Sequence, residues 1–267
     1  MKFLETENLI KNGIISASKK RIKGNYLEHG HKFFEIEYVL SGCGTYYIDG
    51  KPYPIQKKTL FFMSPSNFHA IQNCDAEIIN VMFSCNLCDT NSLYCLFAPD
   101  KVSATSFSHE DSILIEKLLN EITESNEINY MVQFLRCMLY KLSKLMADKK
   151  NDNTSCATSH IQSAIIYILE NFRENITLSD TAKHTKLAPA YLSTLFIKET
   201  GTNFKSYLDQ IRFDYATKLL KFTTMSISEV CTTSGFSDYT NFTRRFKNKY
   251  GTTPSKHRKF QNKVTIE

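Results

Sequence analysis

The sequence predicts a two-domain α+β protein, with an N-terminal β-barrel followed by amphipathic helices and then a C-terminal all-α domain. Three observations predict it. The hydrophobic period changes from two to about 3.6 near residue 110. The last third of the chain repeats itself. Charge is also divided, with residues 1–156 at net −1 and residues 157–267 at net +7. A basic domain beside a neutral one points to a polyanionic partner for the first and a different task for the second.

Bulk properties narrow the class. Of 267 residues, 42% are apolar and 22% charged, which is globular rather than disordered composition. The opening MKFLETENLIKNG lacks the continuous apolar core of a signal peptide, and no run approaches the ~20 apolar residues of a membrane span, so a cytoplasmic protein is expected. Eight scattered cysteines read as reduced thiols. Cys85 and Cys88 form a single CxxC with no second pair at zinc-site spacing.

Between residues 26 and 85 lie β-branched and aromatic runs, FFEIEYVL, GTYYI, YPIQ, TLFFMS and EIINVMF, broken by SGCG, DGKP and SPSN. Asp49-Gly50 is a hairpin signal, because both turn residues must tolerate positive φ. From 110 onward Ile113, Ile115, Leu118, Leu119 and Ile122 mark one helix. Met131, Phe134, Leu135, Met138, Leu139 and Leu142 mark a second. These helices either pack on the barrel or pair as a homodimer interface. The expected division is a sensor over 1–109, a helical packing or dimerisation segment over 110–147, a polar linker over 148–159, and a helical domain over 160–267. Ile161, Ala164, Ile165, Ile168, Leu169 and Phe172 stripe the first helix of that last domain.

Within it, ITLSDTAKHTKLAPAYLSTLFIKETGTNF and MSISEVCTTSGFSDYTNFTRRFKNKYGTTP align at an offset of 49, or 50 after one extra residue. Each copy opens with a capping-box pattern, Thr177-x-x-Asp180 or Ser226-x-x-Glu229. A short helix, a turn and a second helix follow, ending at Gly201 or Gly251. On the second helices, Leu192, Leu195, Phe196, Phe242 and Phe246 face inward. Ala190, Ser193, Thr194 and Lys198 lie on another face, as do Thr240, Thr243, Arg244 and Lys247. Small hydroxyls beside a basic residue suit a helix in a major groove, where Arg reads guanine and Thr meets thymine or a base edge. Residues 204–223 supply about 30 Å of connecting helix, close to one DNA turn of ~34 Å. The chain is therefore expected to bind double-stranded DNA, and the resemblance that follows implies that this is promoter DNA.

At this point the C-terminal 107 residues resemble the AraC/XylS family of bacterial transcription regulators, through YLSTLFIKETGTNFKSYLDQIRFDYATKLL and ISEVCTTSGFSDYTNFTRRFKNKYGTTPSKHR. The resemblance implies two helix-turn-helix units joined by a long helix, control of nearby promoters, as an activator or a repressor, and contact with RNA polymerase. It implies base reading by Ala190, Ser193, Thr194, Tyr239, Thr240 and Arg244, with Lys198, Arg245, Lys247 and Lys249 as phosphate contacts. Several positions depart from the family pattern. Ala188 stands where a capping Ser is usual, Arg245 where an apolar residue is usual, Cys231 where Ala is usual and His257 where an aromatic residue is usual.

The N-terminal half resembles a cupin-like sensor. His29-Gly-His31-x-x-x-Glu35-x6-Gly42 matches the first cupin motif, and Pro65-x-Asn-x-His69-x3-Asn73 approximates the second. Residues 29, 31 and 35 share a parity, so on one strand they would share a face. Two readings stay open: a divalent-metal site of His29, His31, Glu35 and His69, or a metal-free pocket for a small polar effector such as a sugar, lined by those four with Tyr38 and Tyr46. Rival functions are a metal-dependent cupin enzyme with a DNA-binding appendage, and a regulator whose barrel only dimerises it. No nucleophile and base pairing is evident, so a non-enzymatic regulator is the reading preferred.

Overall fold

A computed structural model describes residues 14–98, 101, 103–146 and 156–264. The chain divides into two compact units that part between Glu170 and Asn171. In the first, one antiparallel sheet holds β1 (Ile15–His29), β2 (Phe34–Ile48), β3 (Lys51–Ile55), β4 (Thr59–Met63), β5 (His69–Phe83) and β6 (Ala104–Ser106). Pairing runs β1-β5-β2-β4-β6, with β3 hairpinned onto β2. The hairpin turns at Asp49 and Gly50, both at positive φ, and pairs Ile48 with Lys51.

Two expectations at strand level need correction. The SGCG stretch does not break the chain, and β2 runs straight through it. Gly42 and Gly44 serve a close strand approach instead: a Cβ on Gly42 would sit 2.1 Å from the Asp75 carbonyl oxygen. Strand β1 begins well before the expected start at residue 26. Its sequence, ISASKKRIKGNYLEH, is mostly exposed along the sheet edge, so apolar alternation is too weak to announce it.

The sheet has two faces of different character. Phe34, Phe62 and Phe83 point to one side, where their rings meet Phe97 of α1 (Thr90–Phe97) at 5.0–5.9 Å. Helices α2 (His109–Glu124) and α3 (Ile128–Met146) complete this layer, α3 packing on both others. Their buried stripes are Ile115, Leu119 and Ile122, then Met131, Leu135, Met138, Leu139 and Leu142. Ile113, assigned to the α2 stripe, is instead 42% exposed. The opposite face buries Ile22, Val39, Tyr46, Ile48, Phe61, Met63, Ile71 and Ile78 around the polar cluster described below.

Of the polar segment expected over 148–159, residues 148–155 lie outside the described residues and α4 (Cys156–Asn171) starts at 156. The second unit contains α5 (Leu178–Thr185), α6 (Pro189–Thr200), α7 (Phe204–Phe222), α8 (Ile227–Thr233), α9 (Tyr239–Tyr250) and α10 (Pro254–Val264). Both capping boxes form, Thr177 with Asp180 and Ser226 with Glu229. Helices α6 and α9 each end on a left-handed glycine, Gly201 and Gly251. Phe213, Phe236, Phe242, Phe246 and Tyr250 stack into one aromatic core, with neighbouring centroids 4.6–6.3 Å apart. Among the described residues, no helix is long and apolar enough to cross a membrane.

Candidate effector pocket and nucleic-acid interface

The polar cluster on the apolar face of the sheet depends on two register shifts. Alternation along β2 places Glu35, Glu37 and Val39 on one side, and a shift between Val39 and Ser41 then turns Tyr46 to the same side. In β5 a second shift, at the left-handed Asn73, brings His69 to the face that holds Asn80 and Ile78. His69 then pairs directly with His29 of β1, and their ring centroids stand 4.1 Å apart, edge to face. His29, His31 and Glu35 do not share a strand: His29 closes β1, His31 lies in the connection, and Glu35 sits in β2.

Hydrogen bonds tie the cluster together. His31 Nε2 is 2.7 Å from Glu35 Oε2, and His69 Nε2 is 3.4 Å from the same oxygen. Asn80 Nδ2 donates to both carboxylates, Glu35 Oε1 and, at 2.8 Å, Glu37 Oε1. Lys20 Nζ stands 3.6 Å from Glu37 Oε1. Burial alone would raise the Glu35 carboxyl, but the charges of His31 and His69 and the hydrogen bonds from His31 and Asn80 overcome it and hold it well below the usual range. Burial and the neighbouring Glu35 push Glu37 up. Burial and His29 push His69 well down.

The cluster leaves polar atoms unused. His69 Nδ1 and Asn80 Oδ1 are buried with no hydrogen-bond partner among the described residues. Each such atom costs about 1–3 kcal/mol if nothing meets it. A donor-bearing ligand beside the sheet would recover that energy.

Two of the expected pocket residues stand differently. Tyr38 points to the other face of β2, where its hydroxyl donates to Glu116 of α2 at 2.8 Å. Its parity is opposite to that of Glu35, and the shift that redirects Tyr46 comes only after it. His29 Nδ1 is taken up by the Leu27 carbonyl at 2.9 Å. Glu37 and Asn80 were missed. Glu37 shares the parity of Glu35, and Asn80 is a lone amide in the apolar run EIINVMF.

In the second unit, α6 exposes Ala190, Thr194 and Lys198, with Ser193 half-buried. Thr194 gives its hydroxyl proton to Ala190 O at 3.2 Å, which leaves its methyl and lone pairs outward. Helix α9 exposes Tyr239, Thr240, Arg244 and Lys247, and Arg244 is steadied by Asn241 Oδ1 at 3.1 Å. Arg245, expected on phosphate, is half-buried against the fold, whereas Lys249, expected in the same role, stays exposed. Arg245 pairs with Asp209 of α7 and lies over Phe213, while Lys249 donates to Gln210 and also stands over Phe213. Sequence position alone hid the burial of Arg245, which follows the exposed stripe by one turn or less. The basic residues Lys198, Lys247 and Lys249 remain outward.

Comparison with known proteins matches a family model within each unit. A helix-turn-helix domain model matches residues 181–259, and an AraC-like ligand binding domain model matches residues 21–77. The uncharacterized HTH-type transcriptional regulator YfiF of Bacillus subtilis is 26% identical over 247 residues, spanning 86% of this chain and 78% of its own. The lactose operon transcription activator of Staphylococcus xylosus is 24% identical over 237 residues, spanning 84% and 82%. The HTH-type transcriptional activator RhaS of Mannheimia succiniciproducens is 26% identical over 235 residues, spanning 85% and 87%. A sheet with a buried polar cluster, two capped helix-turn-helix units and relatives aligned across both place this chain in the AraC/XylS family of DNA-binding transcription regulators.

Proposed function

We propose that this regulator activates transcription when a small, donor-rich effector, such as a sugar, occupies the polar face of its sheet. The observation that carries the effector reading is the orphaned buried acceptor Asn80 Oδ1, with the Glu37 carboxyl and the Tyr46 hydroxyl, which interact with each other, buried in the same cluster. Acceptors buried without donors favour a polyhydroxylated partner over an anionic one. A lactose operon activator among the relatives supports the same chemistry. Residues Ala190, Ser193, Thr194, Tyr239, Thr240 and Arg244 read bases, and Lys198 and Lys247 meet phosphates. The protein works in the cytoplasm as a homodimer and engages RNA polymerase at the promoter. Effector binding biases the arrangement of the DNA-reading unit by linkage. The comparisons name regulators and lend no support to a cupin enzyme.

The test is binding of full-length protein to promoter fragments of its own genome at physiological salt, with and without a panel of neutral sugars. Preference for particular promoters over random duplex, changed by one sugar, is the expected result. Equal affinity for random duplex ends the regulator reading, and promoter preference insensitive to the whole panel ends the sugar reading.

A further inference from the structure

Helices α6 and α9 are copies of one unit, and their outward faces differ position by position. At the offset of 50 seen in the sequence, Leu192 and Phe196 of α6 correspond to Phe242 and Phe246 of α9, all four buried, and the capping Gly201 corresponds to Gly251. Buried residues fix how a helix is turned about its axis, so the residues opposite them are fixed too. On α6, Leu192, Leu195 and Phe196 face the core, which leaves Ala190, Thr194 and Ile197 at the centre of the exposed side. Ile197, a large apolar residue, is 48% exposed there. The same three positions of α9 hold Thr240, Arg244 and Lys247. Where α9 presents a guanidinium and an ammonium, α6 presents the methyl groups of Thr194 and Ile197.

That difference decides which base edges each helix can meet. In the major groove, guanine offers two acceptors, O6 and N7, that call for Arg or Lys donors, whereas an A·T pair offers the adenine N6 donor and the thymine 5-methyl group. Helix α6 contains no Arg, Asn or Gln, so it has no side chain for bidentate reading of guanine or adenine. Tyr191, Ser193 and Lys198 lie on the flanks of its exposed side rather than at the centre. Thr194 gives its hydroxyl proton to Ala190 O, so toward the groove its oxygen only accepts and its methyl is outward. An accepting oxygen within a row of methyl groups complements adenine N6 beside a thymine methyl, and it leaves guanine O6 and N7 without a donor. We propose that α6 reads its half of the site through thymine 5-methyl groups, with Ala190, Thr194 and Ile197 as the specificity residues. The bound DNA then pairs a thymine-rich half facing α6 with a guanine-bearing half facing α9. The inference rests on the reading of both helices as groove binders and adds the chemistry by which each tells bases apart.

The test starts from sites that the full-length chain selects out of a random duplex library. Arg244→Ala locates the half read by α9, as the half whose guanine preference it relaxes, and the other half belongs to α6. In that second half deoxyuridine replaces each thymine in turn, which removes the 5-methyl group and keeps the pairing. Expected is a weakening of about fourfold at one or more thymines, which is about 0.8 kcal/mol, the worth of one buried methyl group. Thr194→Ser keeps the hydroxyl and removes the facing methyl, and Ile197→Ala shortens the other apolar contact. Each should weaken binding by a similar factor and cancel the effect of deoxyuridine at the thymine it meets. Thr194→Arg, which gives α6 the residue of α9 at this position, should turn the preference at one base pair from A·T to G·C. A selected half facing α6 that is rich in G·C, or thymines that all tolerate deoxyuridine without loss, overturns the proposal and leaves the regulator reading standing. It fails too if Arg244→Ala relaxes no guanine. A chain that enriches no sequence from the library ends both readings together.

Discussion

Arg245 on α9 donates to the carboxylate of Asp209 on α7, while its guanidinium carbon lies 5.4 Å from the Phe213 ring and 5.9 Å from the Phe236 ring. The pair is largely enclosed, with side chains 30% and 14% exposed. Removing one partner strands the other, whereas replacing both with apolar groups does not. Arg245→Ala should therefore lower the unfolding free energy of this unit by about 1–3 kcal/mol, discounted from a fully buried pair because Arg245 is partly solvated. Asp209→Leu combined with Arg245→Leu should recover most of that loss. Urea denaturation of the four proteins completes the double-mutant cycle. Two silent single variants would dissolve the joint.

Arg244 and Lys247 should separate by readout. Arg244→Ala is expected to cost about 1–3 kcal/mol of specific binding and to relax one base position. Lys247→Ala should weaken all duplexes alike and reduce the salt slope by about one. Selection of binding sites from a random library, followed by salt titration, distinguishes the two. An unchanged base preference in Arg244→Ala would reject it as a reader.

Helix α6 is preceded at its N-cap by Ala188, whose extended backbone suits a cap but whose side chain makes no cap hydrogen bond. Ala188→Ser should stabilise the unit by about 1 kcal/mol. Chemical denaturation measures the gain, and a neutral result would mean that Pro189 at the first helical turn already supplies the start signal.

Gly42→Ala should be among the most damaging single changes in the first unit. The residue sits at φ +103 with the Asp75 oxygen 2.1 Å from an added Cβ. The expected loss exceeds about 3 kcal/mol, from strain and collision together. Thermal unfolding near the wild-type Tm would contradict it.

Much of this was legible in the residues. The capping boxes, the Asp49-Gly50 turn and the glycine caps each have a local physical cause, and local causes survive in a single sequence. The polar cluster was only half visible. Its histidines and Glu35 form a motif, but Tyr38 and Tyr46 share a parity and end on opposite faces, because a register shift between them is set by the partner strand. Arg245 misled for a similar reason. Its charge suggested DNA, whereas Asp209, 36 residues away in sequence, claims it in three dimensions.

Helix α7 carries a further consequence. Nineteen residues without a proline or glycine make a strut about 28 Å long, which resists bending far more than a loop of equal reach. Its stiffness fixes phase as well as distance: the two halves of an operator must present themselves to the same side of the double helix. Five extra base pairs between them would rotate one half out of reach, and affinity would return only when a complete turn has been added.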